Sequence, residues 1–276
     1  VIPFLENVTR GRNIPAERIA EVAEHYYHFG GISPINAQNR ALIAALEAEL
    51  GANGIDLPIY FGNRNWEPFL VDTLSTMRED GVRKVLVFVT SAYSSYSGCR
   101  QYREDVTRAV EELSAEDMHF DKIRVFYNHP GFITPMGESL KAELDALSPE
   151  DRANTHVVFT AHSVPLSMAK GSAYETQLRE ASRLVAELAG AERYQLAWQS
   201  RSGPPQVPWL EPDIPDVLGE LAAAGARRVI VLPVGFISDH LEVLFDLDEE
   251  AKERSAELGM AFTRLPTVGT DPAFVS

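Results

Sequence analysis

The chain has 276 residues, 45% of them hydrophobic, and a net charge of −15 at neutral pH. That length is enough for one large domain or two of ordinary size. The acidity repels phosphate backbones, so nucleic acid is not an expected partner. No run approaches the ~18 apolar residues of a membrane span, no signal peptide is visible, and the single cysteine, Cys99, permits no internal disulfide. Together these point to a protein of a reducing compartment, placed here in the cytoplasm.

Taken in chain order, the opening VIPFLENVTR reads as the start of a helix, and helical patterns follow over 16–29 and 36–50. Then come the strand LPIYFG (57–62), a helix over 68–80, the strand KVLVFVT (84–90), a helix over 101–114 and the strand KIRVFYN (122–128). The second half repeats the alternation. Its strands are HVVFTA (156–161), YQLAWQ (194–199), RVIVLPVGF (228–236) and MAFTRLP (260–266), and its helices cover 172–190, 215–224 and 239–257. Short, continuous apolar strands alternating with helices predict an α/β chain of parallel sheets flanked by helices.

An internal repeat supports two copies of one unit. GVRKVLVFVTSAYSSYSG starts at Gly81 and GARRVIVLPVGFISDHLE at Gly225, 144 residues on, and Glu67-Pro68 matches Glu211-Pro212 at the same offset. We therefore expect a first domain over 1–130, a second over 131–250, and a segment 251–276 that crosses back onto the first. Ligands in such folds bind outside the carboxyl ends of the strands, often between domains.

His162 stands at such an end, in VFTAHSVP. A histidine beside apolar text is commonly structural, but it is also the side chain best suited to take a proton or hold a metal near neutral pH. In SDHLEVLFDLDEE, the acids Asp239, Glu242, Asp246, Glu249 and Glu250 recur at steps of three and four along one helix face. Capping explains Asp239 and part of Glu242. Asp246 and Glu250 lie beyond the first turn and suit a track for a hard or borderline cation. Tyr26, Tyr93, Tyr96, Tyr102 and Trp198 fall in or near loops at strand ends, where rings would stack on a flat apolar ligand. No glycine-rich nucleotide loop, GxSxG elbow or zinc spacing occurs.

TAHSVP (160–165), GFISDHLEVLFDLD (235–248), HFGGISPIN (28–36), FGNRNWEP (61–68) and AWQSRSGPPQVPWLEP (197–212) together resemble the ferrochelatases, most of all the actinobacterial type acting on coproporphyrin III. The resemblance covers nearly the whole chain. It implies two similar Rossmann-like, chelatase-type domains and the insertion of Fe(II) into a porphyrin with release of two protons, a lyase-type reaction of heme biosynthesis. A protoporphyrin ferrochelatase, a cobaltochelatase of the same fold and, in a different class, a non-catalytic tetrapyrrole carrier are the alternatives. His162 and Glu242 match the catalytic pair, which by this resemblance face each other across the macrocycle. His162, Glu242, Asp246 and Glu250 match the metal- or proton-conducting positions. Ser33 and Tyr102 match porphyrin-carboxylate contacts, and Arg10 and Arg12 lie where further anchors are expected, whereas Thr9 and His25 stand where some relatives have arginine. Cys99 resembles the internal ligand of a [2Fe–2S] cluster, which needs three more cysteines than this sequence has. Relatives also begin with a strand and glycine-rich turn over one porphyrin face, which these residues do not include. A monomer is expected.

Overall fold

The computed structural model describes all residues except Arg12, Asn13, Pro204 and Pro205; the predicted anchor Arg12 thus lies outside the described residues. In chain order come α1 (Ile2–Thr9), α2 (Ala16–His28), α3 (Ile35–Ala52) and α4 (Leu70–Glu79). Strand β1 (Lys84–Val87) leads through a π-helical turn (Tyr96–Arg100) into α5 (Gln101–Leu113) and β2 (His119–Lys122). After α6 (Pro130–Asp145) and α7 (Pro149–Ala153) come β3 (Thr155–His162), α8 (Leu166–Lys170), α9 (Tyr174–Ala189) and β4 (Tyr194–Gln199). Then α10 (Ile214–Ala223) precedes β5 (Arg228–Leu232), and α11 (Leu241–Val243) runs through a second π-helical stretch (Leu244–Ala251) into α12 (Lys252–Glu257). β6 (Ala261–Arg264) and α13 (Pro272–Val275) close the chain.

Two parallel sheets result, a pair β1-β2 and a four-stranded sheet in the order β4-β3-β5-β6. The repeat in the sequence is visible in space. The helix and strand Leu70–Glu79 and Lys84–Val87 recur 144 residues on as Ile214–Ala223 and Arg228–Leu232. In each copy the residue before the helix forms a parallel bridge to an upstream segment, Phe69 to Asn63 and Asp213 to Trp198. Both crossovers leaving these strands pass through a π-helical turn, a feature that concentrates at functional sites.

The first sheet is smaller than the sequence implies. Residues 57–62 join no ladder among the described residues, and Leu57 is 61% exposed. The expected strand 122–128 is displaced to His119–Lys122. Its partner β1 ends at Val87, opposite Lys122, and the chain then turns so that Phe126 and Tyr127 both donate to the Ala92 carbonyl at 3.1 Å. β5 stops at Leu232 because Pro233 has no N–H for the ladder.

α6 is unforeseen, since its glycines and prolines resemble a linker. Pro130 occupies the first turn, where an N–H has no helical partner anyway. Pro135 forfeits one helical bond, but Phe132, Ile133, Met136, Leu140 and Leu144 all face the main core. A Cβ at Gly137 would meet Leu188 Cδ2 at 2.6 Å, so the glycine lets α6 approach α9 closely. Helix propensity is overruled here by burial. Among the described residues no helix is long and apolar enough to cross a membrane.

Candidate active site

β3 ends in His162. The ring Nδ1 meets the Ser163 carbonyl, an oxygen that only accepts, so Nδ1 carries the hydrogen and donates it. In the neutral ring the lone pair is then on Nε2, which stands 3.7 Å from Glu242 Oε2. The Tyr174 hydroxyl donates to the His162 carbonyl at 3.0 Å and steadies the strand end. The His162 and Glu242 side chains are 33% and 51% exposed, so both are open to a ligand.

The 3.7 Å separation corrects one expectation. Groups facing each other across a planar ring need about 7 Å between them, because each face is approached no closer than about 3.5 Å. As they stand, the two side chains leave no room for a planar ring between them.

Glu242 opens the helix that holds the acids. His240 caps that helix, its Nδ1 accepting from the Glu242 N–H at 3.2 Å. Burial pushes the His240 pKa down, against the smaller opposing influence of Glu242. One step on, Asp246 lies in the π-helical stretch, where Ser200 Oγ and Gln199 Nε2 donate to its Oδ2. Burial raises the Asp246 pKa to about 7; the Ser200 and Gln199 hydrogen bonds oppose the shift, and the charges of Glu242 and Glu250 add to it. Burial also raises Glu250, while the nearby His25 lowers it. His25 stacks on Phe245 with centroids 4.1 Å apart, and His28 Nε2 meets Glu249 Oε1 at 2.7 Å. Two histidines of α2 thus close over the acidic helix, a contact that sequence reading did not anticipate.

Tyr26, also on α2, has its pKa pushed up to about 12 by burial and, to a smaller extent, by the charge of Glu242; its ring lies 5.8 Å from that of Phe4. Tyr102 lies against the segment Asn63–Asn65, which also touches Asn36 and Asn7, neighbours in sequence of Ser33 and Arg10. Asn63 Nδ2 donates to Asn36 Oδ1 at 3.1 Å, next to Ser33 at the start of α3. Arg64 Cζ lies 5.2 Å from the centre of the Tyr102 ring and its Nε donates to Asp105. Exposed Arg10 donates to Asn7, whose own amide donates to the Asn65 carbonyl at 3.3 Å.

Tyr93 and Trp198 are corrections. Each is only 1% exposed. The Tyr93 ring meets Tyr127, Phe132 and Tyr174, and its hydroxyl donates to the Val234 carbonyl at 2.7 Å. Trp198 lies against Tyr174 at 6.0 Å. These rings are packed into the core, with no face left for a ligand. Cys99 sits half-buried in the first π-helical turn. It is the chain's one cysteine, so these residues do not supply the four ligands of a [2Fe–2S] cluster. Among the described residues no group of three or more His, Cys, Asp or Glu is arranged to hold a metal.

The family model described as Ferrochelatase matches residues 1–276. The chain belongs to the ferrochelatase family. It is a metal chelatase, and its relatives are alike over nearly its full length. It is 54% identical to the coproporphyrin III ferrochelatase of Nocardia farcinica, over 99% of this chain and 80% of that one. It is 53% identical to a protein named ferrochelatase from Rhodopirellula baltica, over 100% and 78%. Among solved structures, SirB from Bacillus subtilis with Fe3+ superposes with a TM-score of 0.60 at 14% identity, covering 87% of this chain and 86% of that one. That likeness is one of fold: parallel sheets flanked by helices in a chelatase architecture.

Proposed function

We propose that this ferrochelatase-family enzyme inserts Fe(II) into coproporphyrin III to give coproheme, releasing two protons, in heme biosynthesis. The observation that carries the reading is the His162–Glu242 pair, open to solvent at a strand end, with the imidazole lone pair fixed on Nε2. The names of several relatives, including those from Nocardia farcinica and Mycolicibacterium smegmatis, favour coproporphyrin III.

The chemistry follows from the groups present. A free-base porphyrin carries two pyrrole N–H groups, and its lone pairs lie in the ring plane. Bending the ring exposes a nitrogen to the incoming ion, at a cost met by binding elsewhere on the macrocycle. Neutral His162 accepts a pyrrole proton at Nε2. Glu242 beside it stabilises the imidazolium that forms, or takes the first coordination position of the ion. Asp246 and Glu250 continue the line of carboxylates along which an ion or a proton travels. In this reading Ser33, Tyr102 and Arg10 supply the hydroxyl and basic groups that would meet propionates.

The relative from Rhodopirellula baltica is named simply ferrochelatase, which keeps protoporphyrin IX as the second reading. The deciding test is anaerobic. Protein and Fe(II) are mixed separately with coproporphyrin III and protoporphyrin IX, and the free-porphyrin absorbance is followed. Preferential loss of the coproporphyrin bands supports the proposal. Preferential turnover of protoporphyrin moves the substrate, and binding of either ring without insertion makes the protein a tetrapyrrole carrier.

A further inference from the structure

Among the described residues two non-glycine residues have a left-handed backbone, Ser114 at φ 46° and Ser200 at φ 60°. Ser114 has an ordinary reason, because it ends α5 in the left-handed conformation that closes many helices. Ser200 follows a strand, and no helix ends there. A serine in this region is disfavoured relative to glycine and persists where its surroundings impose it.

What the conformation achieves is the hydrogen bond from Ser200 Oγ to Asp246 Oδ2. The preceding residue works on the same target. Gln199 is 1% exposed, and its Nε2 donates to Asp246 Oδ2 at 3.1 Å and to the Glu242 carbonyl at 3.4 Å. Its Oε1 is buried with no partner among the described residues. Gln199 is also paired with His162 across the β3-β4 ladder, and Ser163 N donates to its carbonyl at 2.8 Å. One dipeptide at the end of β4 thus touches the strand that carries the histidine and the helix that carries the acids.

We infer that Gln199 and Ser200 are positioning residues: they clamp the Asp246 carboxyl to the end of β4 and so hold the carboxylate line in register with His162. The left-handed backbone of Ser200 aims the hydroxyl. The Gln199 amide bridges two successive acidic positions, the Glu242 backbone and the Asp246 side chain. Without the clamp, a carboxyl on a π-helical stretch swings away from the pair, and an ion reaches His162 and Glu242 less readily. This inference rests on the proposed direction of metal delivery and adds the groups that organise it.

The test separates hydroxyl from backbone. Ser200→Gly removes the hydroxyl and relieves the backbone, so it melts at or above the wild-type temperature. The inference expects this variant to raise the KM for Fe(II) about tenfold, a cost typical of removing a supporting partner of a metal-handling group, while the KM for porphyrin changes less than twofold. Ser200→Ala shows the same KM split. In an Asp246→Asn background, Ser200→Gly adds nothing further. An unchanged Fe(II) KM in Ser200→Gly, or effects of Ser200→Gly and Asp246→Asn that simply multiply, would overturn the clamp. A denaturant double-mutant cycle between the two positions reads the same coupling without turnover. If the wild-type protein inserts no metal, the proposed function fails while the cycle still decides the clamp: coupling upholds it and additivity sinks it.

Discussion

In the second half of the molecule, the residue after the bridging Trp198 is Gln199, and its side chain reaches Asp246 on the π-helical crossover. In the first half, the residue after the bridging Asn63 is Arg64, and its side chain reaches Tyr102 and Asp105 on the equivalent crossover. Tyr102 and Asp246 are themselves 144 residues apart, the offset of the repeat. The same backbone device therefore joins a bridging segment to the crossover helix twice. In one copy it holds an ion pair and an aromatic ring. In the other it holds a carboxyl whose pKa burial has raised. The fold supplies the geometry twice; under the proposed function, side-chain chemistry would divide the labour, with metal handling in the second half and porphyrin handling in the first.

The largest expected effect is at the metal-handling copy. His162→Ala should lower turnover by about 10²–10⁴, the usual worth of a positioned general base, while porphyrin affinity measured by fluorescence quenching stays within a few-fold. Glu242→Gln should come close to it. Full turnover in His162→Ala would remove the reason for assigning the chemistry to this half.

At the other copy, Arg64→Leu leaves the half-buried Asp105 with only the looser Arg108 contact at 3.4 Å and frees the Tyr102 ring. The expectation is a porphyrin KM about tenfold higher with the Fe(II) KM unchanged, the reverse of the pattern at Asp246. Steady-state kinetics with each substrate varied in turn decide it. A rise in the Fe(II) KM alone would collapse the distinction between the halves.

A pH effect on stability is expected at Asp246. Its pKa is raised from an ordinary 3.8 to about 7 in the folded protein, chiefly by burial. Between those values the folded state binds more protons than the unfolded state, so this group's contribution to stability falls as pH rises from about 4 to about 7. Asp246→Asn should match the wild-type melting temperature near pH 4 and exceed it increasingly up to pH 8. A constant difference across that range would mean the carboxyl stays ionised throughout.

The smallest effect is expected at Cys99, in the first π-helical turn. Cys99→Ala should leave turnover within twofold of wild type, measured in the same anaerobic assay. A large loss would give the thiol a role that its solitary position does not suggest.

Much of the site was legible because it rests on local text at strand ends. His162 at the end of a β run, and acids at steps of three and four, are patterns that survive in any fold placing those segments together. The repeat was legible for the same reason, since α4 and β1 recur at the offset read from the sequence. The aromatics show the limit. Tyr26 feels the charge of Glu242, Tyr102 lies against Arg64, and Tyr93 and Trp198 are in the core, yet in sequence all four look alike. Which ring is covered depends on what crosses over it, and that comes from distant parts of the chain.

By itself the sequence determined the alternation of strands and helices, the duplicated unit, the family, and the identities of the histidine and the acids. Those follow from periodicity and residue chemistry along the chain. Only the tertiary structure decided that His162 and Glu242 stand 3.7 Å apart, that α6 forms despite its prolines, and that a left-handed serine fastens Asp246 to the strand beside His162. These depend on side-chain contacts between residues tens of positions apart, and packing selects such contacts without leaving a local pattern to read.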